Sequence, residues 1–421
     1  MKGKKKMEKI LETKNIVTYE GFDEDGRFIE KHDKKFHFKS RFYPGTGFYL
    51  RSGVYNKKGF DTGVDSFQGS MPELIDFGIM SKCVCSHKCN VDCYQKACDR
   101  MGDNVSLEDI EMILKQISGQ VMQAALGGAG DVDTYVSANS ADPTNDFERM
   151  LKLFRQYDIV PSFTTSGIAM TPQKAKICAA LTGAVAVSEH FANYTDEAID
   201  MLLEAGVKTN LHYVLNKDSI KIATERIRNN SWKKGLNAII FLTYKPIGLG
   251  KEEKILTPDN PDVKEFFAVL DEALEKNSLS VSVGFDSCTI PGIVNYMKNV
   301  DMCSTDACEG GRYSCYITPE LELLPCSFDN QDKRWAVDLR THTFEEAWNS
   351  DKFNHFRESL RHSCPNCKNR ENCRGGCPIV NQITLCDREE RKFFQPKDEA
   401  YYKYVNGIRE IAKERNSKKE K

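Results

Sequence analysis

The rhythm of apolar and polar positions changes twice along the chain. Residues 1–73 alternate aromatic and charged side chains, as in FHFKSRFYPGTGFYLRSGVY, which predicts a few short strands joined by Gly/Pro turns. This N-terminal β-rich segment is expected to lie as a layer on the main domain. From Leu74 the pattern becomes apolar runs separated by amphipathic stretches. Six runs read as strands: LIDFGIM from Leu74, VMQAALGG from Val121, IVPSFTTSG from Ile159, AVAVSEH from Ala184, TNLHYVL from Thr209 and NAIIFLTYKP from Asn237. Their continuous apolar character predicts parallel strands buried on both faces. Between them, Ile110, Ile113, Leu114 and Ile117 recur at helical spacing behind a Ser106–Asp109 cap. Phe147, Met150, Leu151 and Phe154 repeat that spacing, and Ile199, Leu202 and Leu203 do so before Gly206. The fold class is therefore α/β, a partial (β/α)6 barrel over residues 74–290, with its chemistry at the C-terminal ends of the strands.

After a helix around Pro261–Lys276 the chain becomes irregular and rich in cysteine, and residues 291–390 read as a separate cluster-binding region. Residues 391–421 read as a C-terminal helix, Glu399–Arg415, that frays into a charged tail. Lys2, Lys4, Lys5 and Lys6 at one end and Lys418, Lys419 and Lys421 at the other are read as solvated tails.

Formal net charge is −2 over 421 residues, which gives no global bias toward nucleic acid or membrane. No apolar run is long enough to span a bilayer, and none follows the N-terminal lysines as an export signal requires. A cytoplasmic protein is expected, without nucleic-acid or membrane partners. Sixteen cysteines then need explaining, because disulfide-dense folds are small and secreted. Five fall between Cys83 and Cys98 and ten between Cys288 and Cys386, so clustered metal ligands are the better reading. Cys178, in an apolar run, is read as a buried structural thiol.

The stretch CVCSHKCNVDCYQKAC follows the first predicted strand directly. Its best triplet is Cys85, Cys89 and Cys93, with Cys83 able to replace Cys85. By spacing alone, an iron–sulfur cluster and a structural zinc remain about equally open.

With this loop on the first strand, the chain resembles radical S-adenosylmethionine (radical SAM) enzymes. That family places three cysteines in the same loop and leaves one iron of a 4Fe–4S cluster open for the amino and carboxylate groups of S-adenosylmethionine. The resemblance implies that Cys85, Cys89 and Cys93 hold the catalytic cluster. Here the second gap, Asn90–Asp92, is one residue longer than usual. Tyr94 resembles the aromatic residue beside the last ligand. ALGGAGDVD, at the end of the second strand, resembles the family's Gly-Gly-Glu turn, with Gly127 and Gly128 matching and Ala129 in place of Glu. The resemblance further implies that polar groups at later strand ends hold the cofactor: Ser166 with Thr165, Ser188 with Glu189, His212, and Tyr244 with Lys245. Asp131, Glu189 and Asp286 are the candidates for a general base.

CPNCKNRENCRGGC, with Cys308, Cys326 and Cys386 around it, resembles the SPASM domain, the auxiliary-cluster extension of peptide-modifying radical SAM enzymes. The family's Gly five residues before the second cysteine is Leu321 here, so a different local turn is expected. Carried across by position, the resemblance implies Cys308, Cys326 and Cys377 for a first auxiliary cluster, completed by Cys303 or Cys288. It implies Cys364, Cys367, Cys373 and Cys386 for a second. In all it covers roughly residues 74–390. It implies three 4Fe–4S clusters, S-adenosylmethionine, an anaerobic oxidoreductase chemistry and an electron donor such as flavodoxin or ferredoxin. The expected activity is reductive cleavage of S-adenosylmethionine and hydrogen abstraction from a ribosomally made peptide or protein, leading to oxidation or crosslinking such as thioether formation. A small-molecule or sugar substrate is the alternative, and residues 1–70 do not read as a winged-helix peptide-recognition module. A non-catalytic metal-binding protein is the alternative from another class.

Overall fold

A computed structural model describes residues 7–89, 91–300 and 305–387. Cys303, the predicted helix Glu399–Arg415 and both lysine-rich ends lie outside the described residues. The chain opens with an antiparallel meander: β1 (Met7–Glu12), β2 (Ile16–Asp23), β3 (Gly26–Asp33), β4 (Phe38–Tyr43) and β5 (Phe48–Arg51), paired in that order. Many of its contacts fall on segments that precede barrel strands, and Arg51 also pairs with Asp306 at 2.6 Å and Glu309 at 3.3 Å, ahead of the C-terminal strands. Thr18 Oγ1 donates to Gly119 O at 2.6 Å, buried Lys31 donates to Gln120 O at 3.2 Å, and Arg27 pairs with Asp158 at 2.9 Å. Ile29 and Phe42 pack on Met122 and Val160. The meander thus closes the N-terminal end of the barrel and leaves the other end to the cysteine loop.

The barrel strands and helices alternate: β6 (Leu74–Met80), α1 (Leu107–Ile117), β7 (Gln123–Gly128), α2 (Asp146–Gln156), β8 (Val160–Thr165), α3 (Pro172–Leu181), β9 (Val185–Ser188), α4 (Asn193–Glu204), β10 (Thr209–Leu215), α5 (Ile220–Arg228), β11 (Ala238–Thr243), α6 (Pro261–Glu275) and β12 (Ser282–Phe285). The α1 cap is as predicted, with Ser106 Oγ accepting from Asp109 N at 3.0 Å. All seven strands are parallel, in the order β12-β11-β10-β9-β8-β7-β6. The seventh, β12, was not expected: four residues at the sheet edge are too short to stand out from the polar run around them.

The expectation that these strands are apolar on both faces needs correction. One face carries Phe77, Leu126, Phe163, Val187, Leu211, Tyr213, Ile239 and Phe241, all in the main core with the helices. Phe77 meets Phe154 of α2 and Phe241 meets Phe266 of α6, edge to face. On the opposite face the register aligns small and polar residues: Asp76 beside Ala125, Gly78 beside Gly127, Thr164 beside Ala186 and Ser188 beside His212. This inner face is room for ligands, not core.

After α7 (Ile290–Tyr296), the C-terminal region extends the same sheet. β13 (Ser314–Ile317) pairs in parallel with β6, and β14 (Glu322–Leu324) and β15 (Val337–Asp338) follow antiparallel. Helices α8 (Phe344–Trp348), α9 (Asp351–Arg361) and α10 (Arg370–Cys373) complete it. Trp348 is fully buried and donates its indole N–H to Gly69 O at 3.1 Å. Among the described residues, no helix is long and apolar enough to cross a membrane.

Leu321 turns the chain from β13 to β14 with φ +61°, the left-handed conformation that glycine adopts most easily. The local turn is therefore retained without the glycine. Leu321 is 1 % exposed in the main core, and its N–H donates to Thr318 O at 2.9 Å. Burial of a leucine side chain stabilises by about 1.5–3 kcal/mol and outweighs a left-handed penalty of roughly 1–2 kcal/mol. Leu321→Gly should therefore destabilise the protein, by about 1–3 kcal/mol once the cavity is counted. Chemical denaturation of both proteins measures this, and a more stable glycine variant would contradict it.

Candidate active site and cluster sites

Residues 81–105 form the loop that leaves the C-terminal end of β6. Its base is closed by Val105 N donating to Ile79 O (3.0 Å) and Ser81 N donating to Asn104 Oδ1 (3.0 Å). Lys88 N donates to Cys85 O at 3.0 Å and Lys96 N to Cys93 O at 3.1 Å, so the cysteines sit on successive tight turns. The segment after β11 holds the loop from the other side. Leu249 N donates to Cys93 O at 3.0 Å, and Lys254 pairs with Asp92 at 2.8 Å. Gly248 (φ +70°) makes this approach possible, because a Cβ there would stand 2.3 Å from Tyr94 O. Cys85 is buried, Cys83, Cys89 and Cys93 are half-buried, and Cys98 is exposed, pointing its thiol at Asp99. Burial, aided by Asp131, pushes the Cys85 thiol up to about 12. Without a bound metal it is protonated, so metal binding there must release a proton.

Gly127 and Gly128 end β7 beside this loop. Gly128 has φ +113°, and a Cβ on it would lie 2.4 Å from Met80 O, while Ala129 N donates to Met80 O at 2.7 Å. A Cβ on Gly127 would meet nothing within 4 Å, so its backbone borders open space. Asp131, three residues on, accepts from Ser166 N (2.7 Å) and Ser166 Oγ (2.5 Å), which engages the Ser166 hydroxyl. Thr165 donates to Asp133 at 2.9 Å. Ser188 and His212 lie side by side on the inner face, and His212 Nδ1 meets Thr164 Oγ1 at 3.2 Å. Burial lowers the His212 pKa to about 4, against a weaker opposite pull from Asp286, so the imidazole is neutral at pH 7. Glu189 is held by Arg226 at 2.6 Å. The Tyr244 hydroxyl accepts from Lys251 N at 2.6 Å and its ring packs with Cys377, Val380 and Ile383.

The C-terminal cysteines gather in two places. Cys288 makes a side-chain contact with Cys377. A Cβ on Gly310 would lie 3.6 Å from both Cys308 Sγ and Cys326 Cβ, which puts those two together. Cys326 in turn feels Cys308 and Cys288. Val380 N donates to Cys377 Sγ at 3.3 Å. Burial pushes Cys308 up to about 12. Cys364, Cys367, Cys373 and Cys386 line a small second cavity against Pro291 and Val294 of α7. Burial pushes Cys373 up to about 12, and the three other cysteines add to it. Cys178 and Cys315 are buried in the core away from both groups.

The cysteine loop after β6 touches the segment that follows Cys326. Tyr94 packs its ring on Phe328 with centroids 5.1 Å apart, and Phe328 lies two residues beyond Cys326. Gln331 donates to Tyr94 O at 3.2 Å and Asn330 to Gln95 Oε1 at 3.0 Å. Lys245 pairs with Asp286 and stands 4.5 Å over the Phe328 ring. Burial opposes the charge on Lys245, but Asp286 together with Cys288 and Cys377 outweighs it and raises its pKa. Sequence reasoning missed Asp76, an inner-face carboxylate hidden inside the apolar run LIDFGIM. Although it keeps some contact with solvent, its crowded surroundings and nearby Glu309 push it up to about 7. A carboxylate inside a parallel strand was the available signal.

A family model described as an iron–sulfur cluster-binding domain, SPASM, matches residues 308–375. No curated protein matches the chain. Among solved structures, SuiB from Streptococcus suis bound to precursor peptide SuiA is similar, with TM-score 0.57, 14% identity and coverage of 77% of each chain. SuiB bound to S-adenosylmethionine matches with TM-score 0.57 and 15% identity over 77% of this chain and 78% of that one. Native anSMEcpe with bound AdoMet matches with TM-score 0.54 and 17% identity, covering 80% of this chain and 99% of that one. The chain therefore shares the partial-barrel fold of these structures and carries an iron–sulfur cluster-binding domain of the SPASM type over residues 308–375.

Proposed function

We propose that the chain is an enzyme that reductively cleaves S-adenosylmethionine and abstracts hydrogen from a ribosomally made peptide or protein. The observation that carries this reading is the pairing of a cysteine-rich loop at the end of β6 with the open backbone of Gly127 at the end of β7. Of the loop's five cysteines, Cys85, Cys89 and Cys93 would hold a 4Fe–4S cluster, three thiolates leaving one coordination position to fill. Gly127 and Gly128 would receive the cofactor's amino group through backbone, with Tyr94 beside the last ligand. When bound and reduced, such a cluster would supply the single electron that cleaves a carbon–sulfur bond of S-adenosylmethionine, releasing methionine and the carbon radical that takes hydrogen from the substrate.

The chain's own residues prepare that event. The small inner face of β6 to β10 leaves room for substrate, and neutral His212 can donate or accept a hydrogen bond without adding charge. Asp131 orients the β8 end through Ser166, and Asp286 is committed to Lys245, so neither is free to act as base; Asp76 is the better placed carboxylate. Cys288, Cys308, Cys326 and Cys377 would hold a first auxiliary cluster and Cys364, Cys367, Cys373 and Cys386 a second. A peptide substrate is supported by SuiB with its precursor peptide and by anSMEcpe with bound Cp18Cys peptide. The modification is an oxidation or crosslink such as a thioether, in the cytoplasm, with flavodoxin or ferredoxin as electron donor. The division into residues 1–73, 74–290, 291–390 and 391–421 belongs to the same reading.

Anaerobically reconstituted protein should hold about twelve irons, and the combined Cys85→Ala, Cys89→Ala, Cys93→Ala protein about eight, by counting four per cluster. Stoichiometric zinc without acid-labile sulfide would sink the assignment. With a strong reductant, wild type should form 5′-deoxyadenosine from S-adenosylmethionine and the Cys89→Ala protein should not; equal yields from the two would mean the ligands are wrong. Cys373→Ala removes a thiol from the second cavity and leaves the barrel core untouched. It should still form 5′-deoxyadenosine while losing product, which mass spectrometry of both species reads directly. A wild-type ratio of product to 5′-deoxyadenosine would contradict an electron-accepting or substrate-anchoring role.

A further inference from the structure

Lys245 is a buried cation at the junction of three cysteine-bearing segments. Its side chain is 5 % exposed, just past the end of β11. The ammonium pairs with Asp286, two residues before Cys288. It also lies 4.5 Å over the ring of Phe328, two residues after Cys326. Its chain neighbour Tyr244 packs against Cys377. Arg312 is a second cation of this region: it donates to Cys308 O at 3.1 Å and Phe67 O at 2.6 Å and, like Arg374, pairs with Asp65.

We infer that Lys245 is a positioning residue that sets the reduction potential of the first auxiliary cluster, with Asp286 moderating its effect. This rests on the reading of Cys288, Cys308, Cys326 and Cys377 as that cluster's ligands. A buried ammonium beside a cluster stabilises the state carrying the extra electron, and in a low-dielectric site its field is weakly screened by salt. Asp286, two residues before Cys288, opposes that field with its own negative charge. The two residues therefore act with opposite sign, which a simple structural clamp would not do.

The test uses the full chain in the Cys85→Ala, Cys89→Ala, Cys93→Ala background, so that only auxiliary clusters report. Adding Cys308→Ala should remove one reduced-cluster signal in electron paramagnetic resonance and so identify it. Loss of no signal would overturn the ligand reading and the inference with it. Redox titration should then show that Lys245→Met lowers the midpoint of that signal by at least a tenfold change in the reduction equilibrium, about 59 mV for one electron. Lys245→Arg should bring it back toward wild type, and Asp286→Asn should raise it. Unchanged midpoints in Lys245→Met and Asp286→Asn with the cluster intact would overturn the role of Lys245 while sparing the ligand reading. Should Lys245→Met fail to hold the cluster, Asp286→Asn decides: a raised midpoint supports the inference and an unchanged one refutes it.

Discussion

The pairing of β13 with β6 is the constraint on which the rest of the molecule depends. Four residues of the C-terminal region, Ser314–Ile317, align in parallel with Leu74–Phe77, the strand that launches the catalytic loop. A parallel pair needs a long connection between its strands, and here the whole barrel is that connection. Barrel and cluster-binding region thereby share one sheet and one core, with Cys315 and Ile317 in the same cluster as Ile75 and Phe77. Tyr94 of the loop after β6 meets Phe328, four residues past β14, across this junction. Arg312 reinforces the junction from beneath, donating to Phe67 O at 2.6 Å and Cys308 O at 3.1 Å while pairing with Asp65. Arg312 is 1 % exposed, so removing Asp65 would leave a buried charge unpaired at this junction.

The second organising feature is the unequal treatment of the sheet's faces. Aromatic and branched side chains fill the outer face, where the helices cover them. Glycine, alanine, serine and threonine occupy the inner face, where large side chains would fill the space a cofactor and substrate need. His212, Asp76 and Asp286 are the ionisable groups this arrangement tolerates, and each has its charge state set by its setting. Desolvation neutralises His212 and raises Asp76, while a cation holds Asp286. The meander closes the opposite end, so solvent and substrate approach from the end where the cysteines lie.

Much of this was legible in the residues. Strands β6 to β11, the Ser106 cap and the helix from Pro261 followed from apolar spacing, since each is a long or strongly patterned segment. The C-terminal cysteines were sorted into two groups by resemblance alone; in the structure Cys364, Cys367, Cys373 and Cys386 line one cavity and Cys288 stands next to Cys377. What was not legible depended on contacts distant in sequence. Inner-face positions such as Ala125 and Ala186 look like core until the register shows what lies opposite. The strands β12 to β15 are two to four residues long, too short to carry a period. Lys245 and Asp286 are forty-one positions apart, and only folding makes them a pair. Leu321 kept a glycine-type turn because its burial outweighs the strain, a balance invisible without the core around it.

The central claim is that one of several clusters, the one on the β6 loop, meets S-adenosylmethionine. Electron paramagnetic resonance of the reduced, fully reconstituted protein, recorded with and without S-adenosylmethionine, tests it most directly. The account predicts that the cofactor shifts the signal of a single cluster, that the auxiliary signals stay as they were, and that Cys93→Ala abolishes the shift. Spectra that are superimposable with and without S-adenosylmethionine, or a shift that survives Cys93→Ala, would contradict it.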